Sequence, residues 1–151
     1  MELFERFAET YELIEKARHA VKTAKTYKES EAAEAECWRL RSAFSDEGIL
    51  TLELWCAYEN ARRFGNERLD FRDLHRPYNV PGLVEFMQQN EVKEFTFHSF
   101  RYDELRVAWD FQKCGCVIAG LVEINSYDDH KYPALLYKLK SLPTGCQDAD
   151  Q

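Results

Sequence analysis

Residues 94–124, EFTFHSFRYDELRVAWDFQKCGCVIAGLVEI, decide the fold, because they contain a strand pattern, a helix pattern and a second strand pattern in succession. Glu94–Phe100 alternates and is rich in aromatic and β-branched residues, which is typical of a strand. Asp103–Lys113 has a helical period, and Cys116–Ile124 is short and apolar on both faces, which predicts a buried strand. The helix positions expected along one side are Leu105, Ala108, Trp109 and Gln112. Strand, helix and strand within about 30 residues predict a βαβ unit.

Cys114 and Cys116 flank Gly115 in this stretch, and the pair has three interpretations: a turn, a metal site or a redox pair. A zinc site needs four ligands, which here requires a spatial approach of Cys146 and His130. A thioredoxin-like site uses Cys-x-x-Cys at a helix start, whereas this pair follows a helix end. Glycine takes the left-handed conformation after a helix without steric cost. We therefore predict a turn, with no bound metal, no cofactor and no thiol catalysis.

Composition predicts a folded, acidic, cytoplasmic protein. The 151 residues are 45% apolar and 14% aromatic, enough for a packed core. Glutamates interrupt the first apolar positions, which argues against a signal peptide, and no stretch approaches the length of a membrane span. The odd number of cysteines, five, argues against a disulfide framework. A net charge of −7 disfavours direct, nonspecific nucleic-acid binding, and interspersed Lys and Arg disfavour a DNA mimic.

The first 65 residues are expected to form a helical hairpin or a three-helix layer. Residues 2–28 carry one apolar stripe at three- and four-residue steps. Ser30 is the expected cap of a second helix. Ser45-Asp46-Glu47-Gly48 predicts a break or a fresh cap, and the third helical segment that follows is expected to end at Phe64-Gly65-Asn66. The inner face of the second helix is expected to hold Cys37, Leu40, Arg41 and Phe44.

The remainder is expected to be a connector, residues 66–80, and a small α/β unit, residues 81–145, with a tail at 146–151. The connector is expected to hold a short strand at Leu69–Phe71, and Pro81 to open a helix. We also expect a helix after Pro133, over Leu135–Leu139. The predicted class is α+β: an N-terminal antiparallel helical layer followed by a small βαβ-containing domain, together one compact domain.

Two clusters of carboxylates and histidine could supply a general acid and base, and the second could instead bind a cation. They are Asp70, Asp73 and His75, and Asp128, Asp129 and His130. Loops also collect Asp and His because these side chains satisfy local backbone groups, and we favour that interpretation for both clusters. His98, in a strand pattern, is expected to be structural. The sequence contains no recognised nucleophile, phosphate-loop, dinucleotide-binding or zinc-protease motif.

A basic stretch could grip a phosphate or an acidic protein surface. Its members are Arg62, Arg63, Arg68, Arg72 and Arg76. The favoured alternative is a solvated face balanced by Glu59, Glu67, Asp70 and Asp73. Most of the three tryptophans (Trp38, Trp55 and Trp109) are expected in the core, and one left exposed beside the arginines would be a candidate binding hot spot.

Residues 31–125 resemble small uncharacterised accessory proteins carried on mobile elements of Firmicutes. The resemblance rests on ERLDFRDLH, on VPGLVEFMQQN, and on EFTFHSF followed by AWDFQKCGCVIAGLVEINS. These motifs consist of apolar framework positions and turn glycines, so the resemblance implies a fold and no catalytic residues. In genomic context such genes are similar to anti-restriction and anti-CRISPR accessories. The N-terminal 28 residues lie outside the resemblance.

Two classes of function remain at this point. The favoured hypothesis is a non-enzymatic inhibitor or adaptor that binds a protein, specifically an anti-defence protein whose partner is a nucleic-acid-handling effector complex. Its contact surface is expected on exposed acidic helical faces, with the basic stretch at 62–76 as a second candidate. The alternative is a small cytosolic hydrolase that uses the carboxylate and histidine residues at 70–75 or 128–130.

Overall fold

A computed structural model describes residues 2–99 and 103–141. The predicted α+β class is confirmed, because a helical N-terminal region precedes a small mixed sheet. The helices are α1 (Leu3–Thr23), α2 (Tyr27–Glu47), α3 (Ile49–Phe64), α4 (Val80–Gln89) and α5 (Glu104–Lys113). The strands are β1 (Leu69–Phe71), β2 (Glu94–Phe97), β3 (Val117–Asn125) and β4 (Lys131–Lys138).

The chain divides into two compact units, residues 1–55 and 56–151. In the first unit α1 packs on α2 around an aromatic cluster. Phe7 meets Phe44 edge-on with ring centroids 4.8 Å apart, and Trp55 stacks on Phe44 at 4.9 Å. Phe7, Ile14 and Trp55 are almost completely buried, so this cluster is the core of the unit.

The second helix begins at Tyr27, earlier than a cap at Ser30 would place it. Its cap is Thr26, whose Oγ1 accepts a hydrogen bond from the Glu29 backbone amide at 3.1 Å, and Ser30 lies inside the first turn. The Glu29 carboxylate in turn accepts from the Lys25 amide at 2.9 Å. The Ser30 prediction was therefore wrong. Thr26-x-x-Glu29 is a local capping pattern in which Thr26 satisfies the Glu29 amide of the first turn and Glu29 satisfies the Lys25 amide before the helix.

The second unit contains a four-stranded sheet in the order β1-β2-β4-β3. β1 and β2 are parallel neighbours joined through α4, which makes a βαβ unit. β4 is antiparallel to both β2 and β3. The predicted strands on either side of α5 are therefore parallel to each other, but β4 lies between them, so they form a split βαβ unit.

The helix predicted after Pro133 was wrong, because Lys131–Lys138 is the strand β4. Its residues pair with β3 from Lys131 onward and with β2 only from Leu135 onward. At Pro133, β4 therefore has a neighbouring strand on one side only. Proline has no amide hydrogen to donate, and it is tolerated in a strand where one side is unpaired. This segment is a strand because it pairs with β2 and with β3. The local sequence does not show which strands will lie beside it.

The predicted burial of β3 was also wrong, because β3 is an edge strand. Most of its residues are exposed, and Ile124 is the buried one. The apolar side predicted for α5 was wrong in part. The buried residues of α5 are Val107, Ala108 and Phe111, whereas Leu105 and Trp109 face solvent.

Aromatic side chains on one face of the sheet pack under α5. Phe95 stacks on Tyr137 with centroids 5.2 Å apart and lies 4.9 Å from Phe111 of the helix. Phe71 and Phe97 extend the cluster along β1 and β2. This core holds α5 and places the ends of β1 and β3 where the polar residues described next meet.

Candidate functional site

Asp70, one of the predicted acid–base residues, lies in a buried polar network. Its side chain is completely buried, and Arg72 Nη2 donates to Asp70 Oδ2 at 2.8 Å. Asn66 Nδ2 donates to the same oxygen at 3.1 Å. Residues two apart in an extended chain point to the same side, which brings Asp70 and Arg72 together. Asp70 is therefore engaged as the ion-pair partner of Arg72.

The same network joins β1 to the chain that follows β3. Arg72 donates from Nη1 to Ser126 Oγ at 2.8 Å and from Nη2 to the Asn125 carbonyl at 2.9 Å. The Asn125 amide donates to Asn66 Oδ1 at 2.8 Å. The Phe64 ring lies 4.4 Å from the Arg72 guanidinium carbon. All three guanidinium nitrogens of Arg72 donate hydrogen bonds to other residues of the chain. The network is therefore a structural clamp that holds the end of β1 to the end of β3.

Asn66, Asn125 and Ser126 were not identified from the sequence. Each lies at the end of an element, where polar residues are common, so residue type gave no signal. What identifies them is a contact in the folded chain: the Asn66 side chain donates a hydrogen bond to the Asn125 carbonyl, although the two residues are 59 positions apart in the sequence.

The other residues of the predicted cluster at 70–75 have different surroundings. Asp73 Oδ1 accepts from Ser99 Oγ at 2.5 Å, and His75 is exposed. His98, expected to be structural, is mostly buried and stacks on Tyr132 with centroids 5.6 Å apart. The Asp70 carboxylate is thus used by Arg72, and the Asp73 carboxylate by Ser99.

The second predicted cluster lies on a short 3₁₀ turn, Tyr127–Asp129. Asp128, Asp129 and His130 are exposed there, and both aspartates have positive φ, 59° and 58°. Aspartate tolerates this conformation better than most residues, which explains the composition of the turn. Within the ranges 2–99 and 103–141, no group of three or more His, Cys, Asp or Glu side chains is arranged to hold a metal ion. Cys146 lies outside the described residues.

The five arginines of the basic stretch all contact other residues of the chain. Arg72 binds Asp70, as above. Arg68 pairs with Glu94 at 2.9 Å, and Arg76 with Asp103 at 2.8 Å. Arg62 donates to the Tyr58 hydroxyl, and the Arg63 guanidinium lies over the rings of Phe64 and Tyr127. Three of the five arginines therefore pair with carboxylates of this unit, and Arg62 and Arg63 contact aromatic residues.

Gly115 occupies the predicted turn, with φ 93°, directly after α5. Its amide donates to the Gln112 carbonyl at 3.0 Å, and the Cys116 amide donates to the Phe111 carbonyl at 3.1 Å. Cys116 is buried and Cys114 is partly buried. Burial raises the pKa of the Cys116 thiol to about 12, and burial with the nearby Asp110 carboxylate raises the pKa of Cys114.

Cys116 is expected to resist alkylation. The thiolate is the nucleophile, and at pH 8 a thiol with a pKa of about 12 is ionised in only about 1 molecule in 10,000. Iodoacetamide should therefore modify Cys116 on the order of 1,000-fold more slowly in the folded protein than in urea. Peptide mass spectrometry over a time course measures both rates. Equal rates in the two conditions would show that burial does not protect the Cys116 thiol in the folded protein, and a faster rate in the folded protein would show an activated thiol.

Two of the three tryptophans are exposed, contrary to the expectation that most lie in the core. Trp38 on α2 is 67% exposed and Trp109 on α5 is 58% exposed. Tyr27, also on α2, is 82% exposed. Tyr27 and Trp38 are eleven residues apart, which is three helical turns or about 16 Å along one side of the helix.

Glu31 and Glu34 are exposed between these two rings on the same side of α2. We call Tyr27, Glu31, Glu34 and Trp38 the α2 face. Large aromatic rings left in solvent are candidate anchors of a protein-binding surface.

A second exposed apolar surface belongs to α5 and β3. Its residues are Leu105, Trp109, Ile118 and Leu121, which we call the α5–β3 surface. Leu105 and Leu121 line one groove of about 330 Å³ together with Ala108 and Leu135. Residues four apart on a helix share a side, so Trp109 extends this surface from Leu105.

No helix within the described ranges combines the length and the apolar character needed to cross a membrane. Among known proteins, no curated protein and no solved structure matches the chain. A family model described as a domain of unknown function, DUF7698, matches residues 53–134, a little over half of the chain. The match covers α3 from Glu53, the Asp70–Arg72 network and most of the sheet. The chain therefore belongs to the DUF7698 family.

Proposed function

We propose that this protein is a non-enzymatic inhibitor or adaptor that binds another protein through the α2 face. The proposal rests on Tyr27 and Trp38, two largely exposed aromatic side chains on one side of one helix. Tryptophan and tyrosine are the residues that most often dominate binding energy when a partner covers them. All four residues of the α2 face are exposed, whereas the buried residues of α2 are Cys37 and Phe44, so this face is open to solvent.

The charge of this face favours a partner with a basic surface. Glu31 and Glu34 lie between the two rings, and the whole chain carries a net charge of −7. Opposite charges accelerate encounter and select against acidic competitors. A nucleic-acid-handling complex has a basic channel of this kind, so the proposed partner is an effector of a CRISPR or restriction system.

The proposal is favoured over the basic stretch at 62–76 as the contact surface. Those arginines already have partners in the chain, and binding through them would first break internal contacts such as Arg68–Glu94 and Arg76–Asp103. The α2 face requires no such rearrangement. Its aromatic rings gain burial when a partner docks.

Affinity purification tests the proposal with three tagged baits: the wild-type chain, Trp38→Ala and Trp109→Ala. The host should carry CRISPR and restriction systems. We expect the wild type and Trp109→Ala to recover an effector complex that added salt releases, and Trp38→Ala to recover much less of it. The two tryptophans are similarly exposed, so Trp109→Ala controls for loss of an exposed ring.

Two outcomes would contradict the proposal. One is equal recovery of the complex by Trp38→Ala. The other is recovery of the protein alone together with turnover in a general hydrolase screen, which would support the enzyme. In that case alanine variants of the carboxylates at 70–75 or 128–130 should lose activity and retain their thermal stability.

A further inference from the structure

β3 is an unusually open edge of the sheet. The strand order leaves β1 at one edge with three residues and β3 at the other with nine. Edge strands are commonly protected from pairing by lysine, proline or an inward charge. β3 contains no lysine or proline, and its one charged residue is Glu123. The protection it does have is an irregularity in the pairing with β4 between Ile118 and Gly120.

The α5–β3 surface adds apolar side chains to this edge. Leu105 is 83% exposed and Leu121 is 71% exposed, although both line the groove between α5 and the sheet. Within a strand alternate residues share a face, and the pairs Leu121–Leu135 and Leu135–Phe97 place Leu121 on the face that carries the aromatic core under α5. The open edge and the exposed apolar side chains are therefore next to each other.

We propose that this edge pairs with a second copy of the chain, β3 to β3, around a twofold axis that passes through Leu121. Antiparallel pairing in this register sets Leu121 opposite its mate and Ala119 opposite Glu123. It needs only residues 119–123 of each strand, about the length of an average strand. The two four-stranded sheets become one sheet of eight strands.

A twofold axis perpendicular to the sheet keeps each face on its own side. Both α5 helices therefore lie on the same face of the joined sheet. Leu105 and Trp109 of each copy then flank the pair of Leu121 side chains, because Leu105 already lines the groove beside Leu121. The symmetry covers the apolar residues of both copies at once, as expected for an isologous interface.

The charges near the proposed interface and the area that it would bury are both compatible with a second copy as the partner. In this register no charged side chain faces its own mate, because Glu123 lies opposite Ala119. The four side chains of the α5–β3 surface expose on the order of 500 Å² to solvent in each copy. Covering both sets in a dimer would bury on the order of 1,000 Å², without the backbone of the paired strands. Specific interfaces begin at about 1,200 Å² in total, which the backbone of the paired strands would supply.

Sedimentation equilibrium of the full chain over a wide concentration range tests the inference. We expect the wild type to approach twice 17.8 kDa as concentration rises. The dimer should tighten with added salt, because both copies are acidic and salt screens their repulsion. The proposed effector complex should instead weaken with salt, so the two interactions are distinguishable. A wild type that stays at 17.8 kDa throughout would overturn the inference.

Charge variants at the axis test the register. Leu121→Lys sets two like charges opposite each other and should weaken the dimer about tenfold or more. Leu121→Glu should do the same, and a mixture of the two variants should recover the dimer. Leu13→Lys, at an exposed leucine on α1, is the matched control and should dimerise as the wild type does. Circular dichroism confirms that each variant is folded. A Leu121→Lys variant that is folded and still dimerises would contradict the proposed pairing.

Discussion

Replacing Arg72 by alanine is expected to destabilise the protein by about 3–5 kcal/mol, one of the two largest effects of a single substitution that the structure indicates. Arg72 is the ion-pair partner of Asp70, whose carboxylate is completely buried. Without the guanidinium, that carboxylate keeps only the Asn66 side chain as a hydrogen-bond partner among the contacts described above. Ser126 Oγ loses its Arg72 donor as well, and the Asn125 carbonyl loses Arg72 Nη2 and retains the longer hydrogen bond from Asn66 Nδ2 at 3.2 Å. The measurement is urea denaturation followed by circular dichroism.

The matched control is Arg68→Ala. Arg68 pairs with Glu94 at 2.9 Å, a similar distance, but both side chains are about one-third exposed. Pairs in that setting contribute about 0–1 kcal/mol. A double variant, Asp70→Leu with Arg72→Met, should be more stable than Arg72→Ala because no buried charge remains. If Arg72→Ala costs no more than Arg68→Ala, the network is not the clamp described here.

The second large effect is expected for Trp55→Ala, at about 3–5 kcal/mol. Trp55 is 1% exposed and packs against Phe7 and Phe44, with centroids 5.4 Å and 4.9 Å away. Removing the indole leaves a cavity between two rings that belong to different helices, so neighbouring side chains can fill it only in part. Urea denaturation again gives the change in free energy of unfolding.

Trp38→Ala and Trp109→Ala are the controls for Trp55→Ala. Both side chains are mostly exposed, and substitutions at such positions usually change stability by no more than about 0.5 kcal/mol. The three variants remove the same group, so at protein concentrations too low for self-association the differences among them report burial. Equal losses for Trp55→Ala and Trp109→Ala would refute the assignment of Trp55 to the core.

Features set by neighbouring residues could be predicted from the sequence. Gly115 ends α5 and Pro81 lies in the first turn of α4, because each requirement involves one backbone position. Gly48 follows α2 for the same reason. The Thr26 cap is also local, and Thr26-x-x-Glu29 was a signal in the sequence that could have located it.

Features set by strand order could not be predicted in this way. β3 is apolar enough to be buried, and it is exposed because β4 pairs between it and β2. α5 has two apolar stripes, one through Val107 and Phe111 and one through Leu105 and Trp109. The helical period fits either stripe, and only packing on the sheet selects the first. The α2 face and the α5–β3 surface both depend on such choices, so the residues proposed here to bind partners had to be found in the structure.

The most direct test of binding through the α2 face is the affinity of charge-reversed protein for the captured effector complex. Glu31→Lys with Glu34→Lys reverses the charge between Tyr27 and Trp38. Its control, Glu67→Lys with Glu91→Lys, makes the same change in net charge at exposed positions of the other unit. Isothermal titration at low salt should show binding at least about tenfold weaker for the first variant, near wild-type binding for the second, and a smaller difference at high salt. Equal affinities for the two variants would show that the partner does not contact the α2 face.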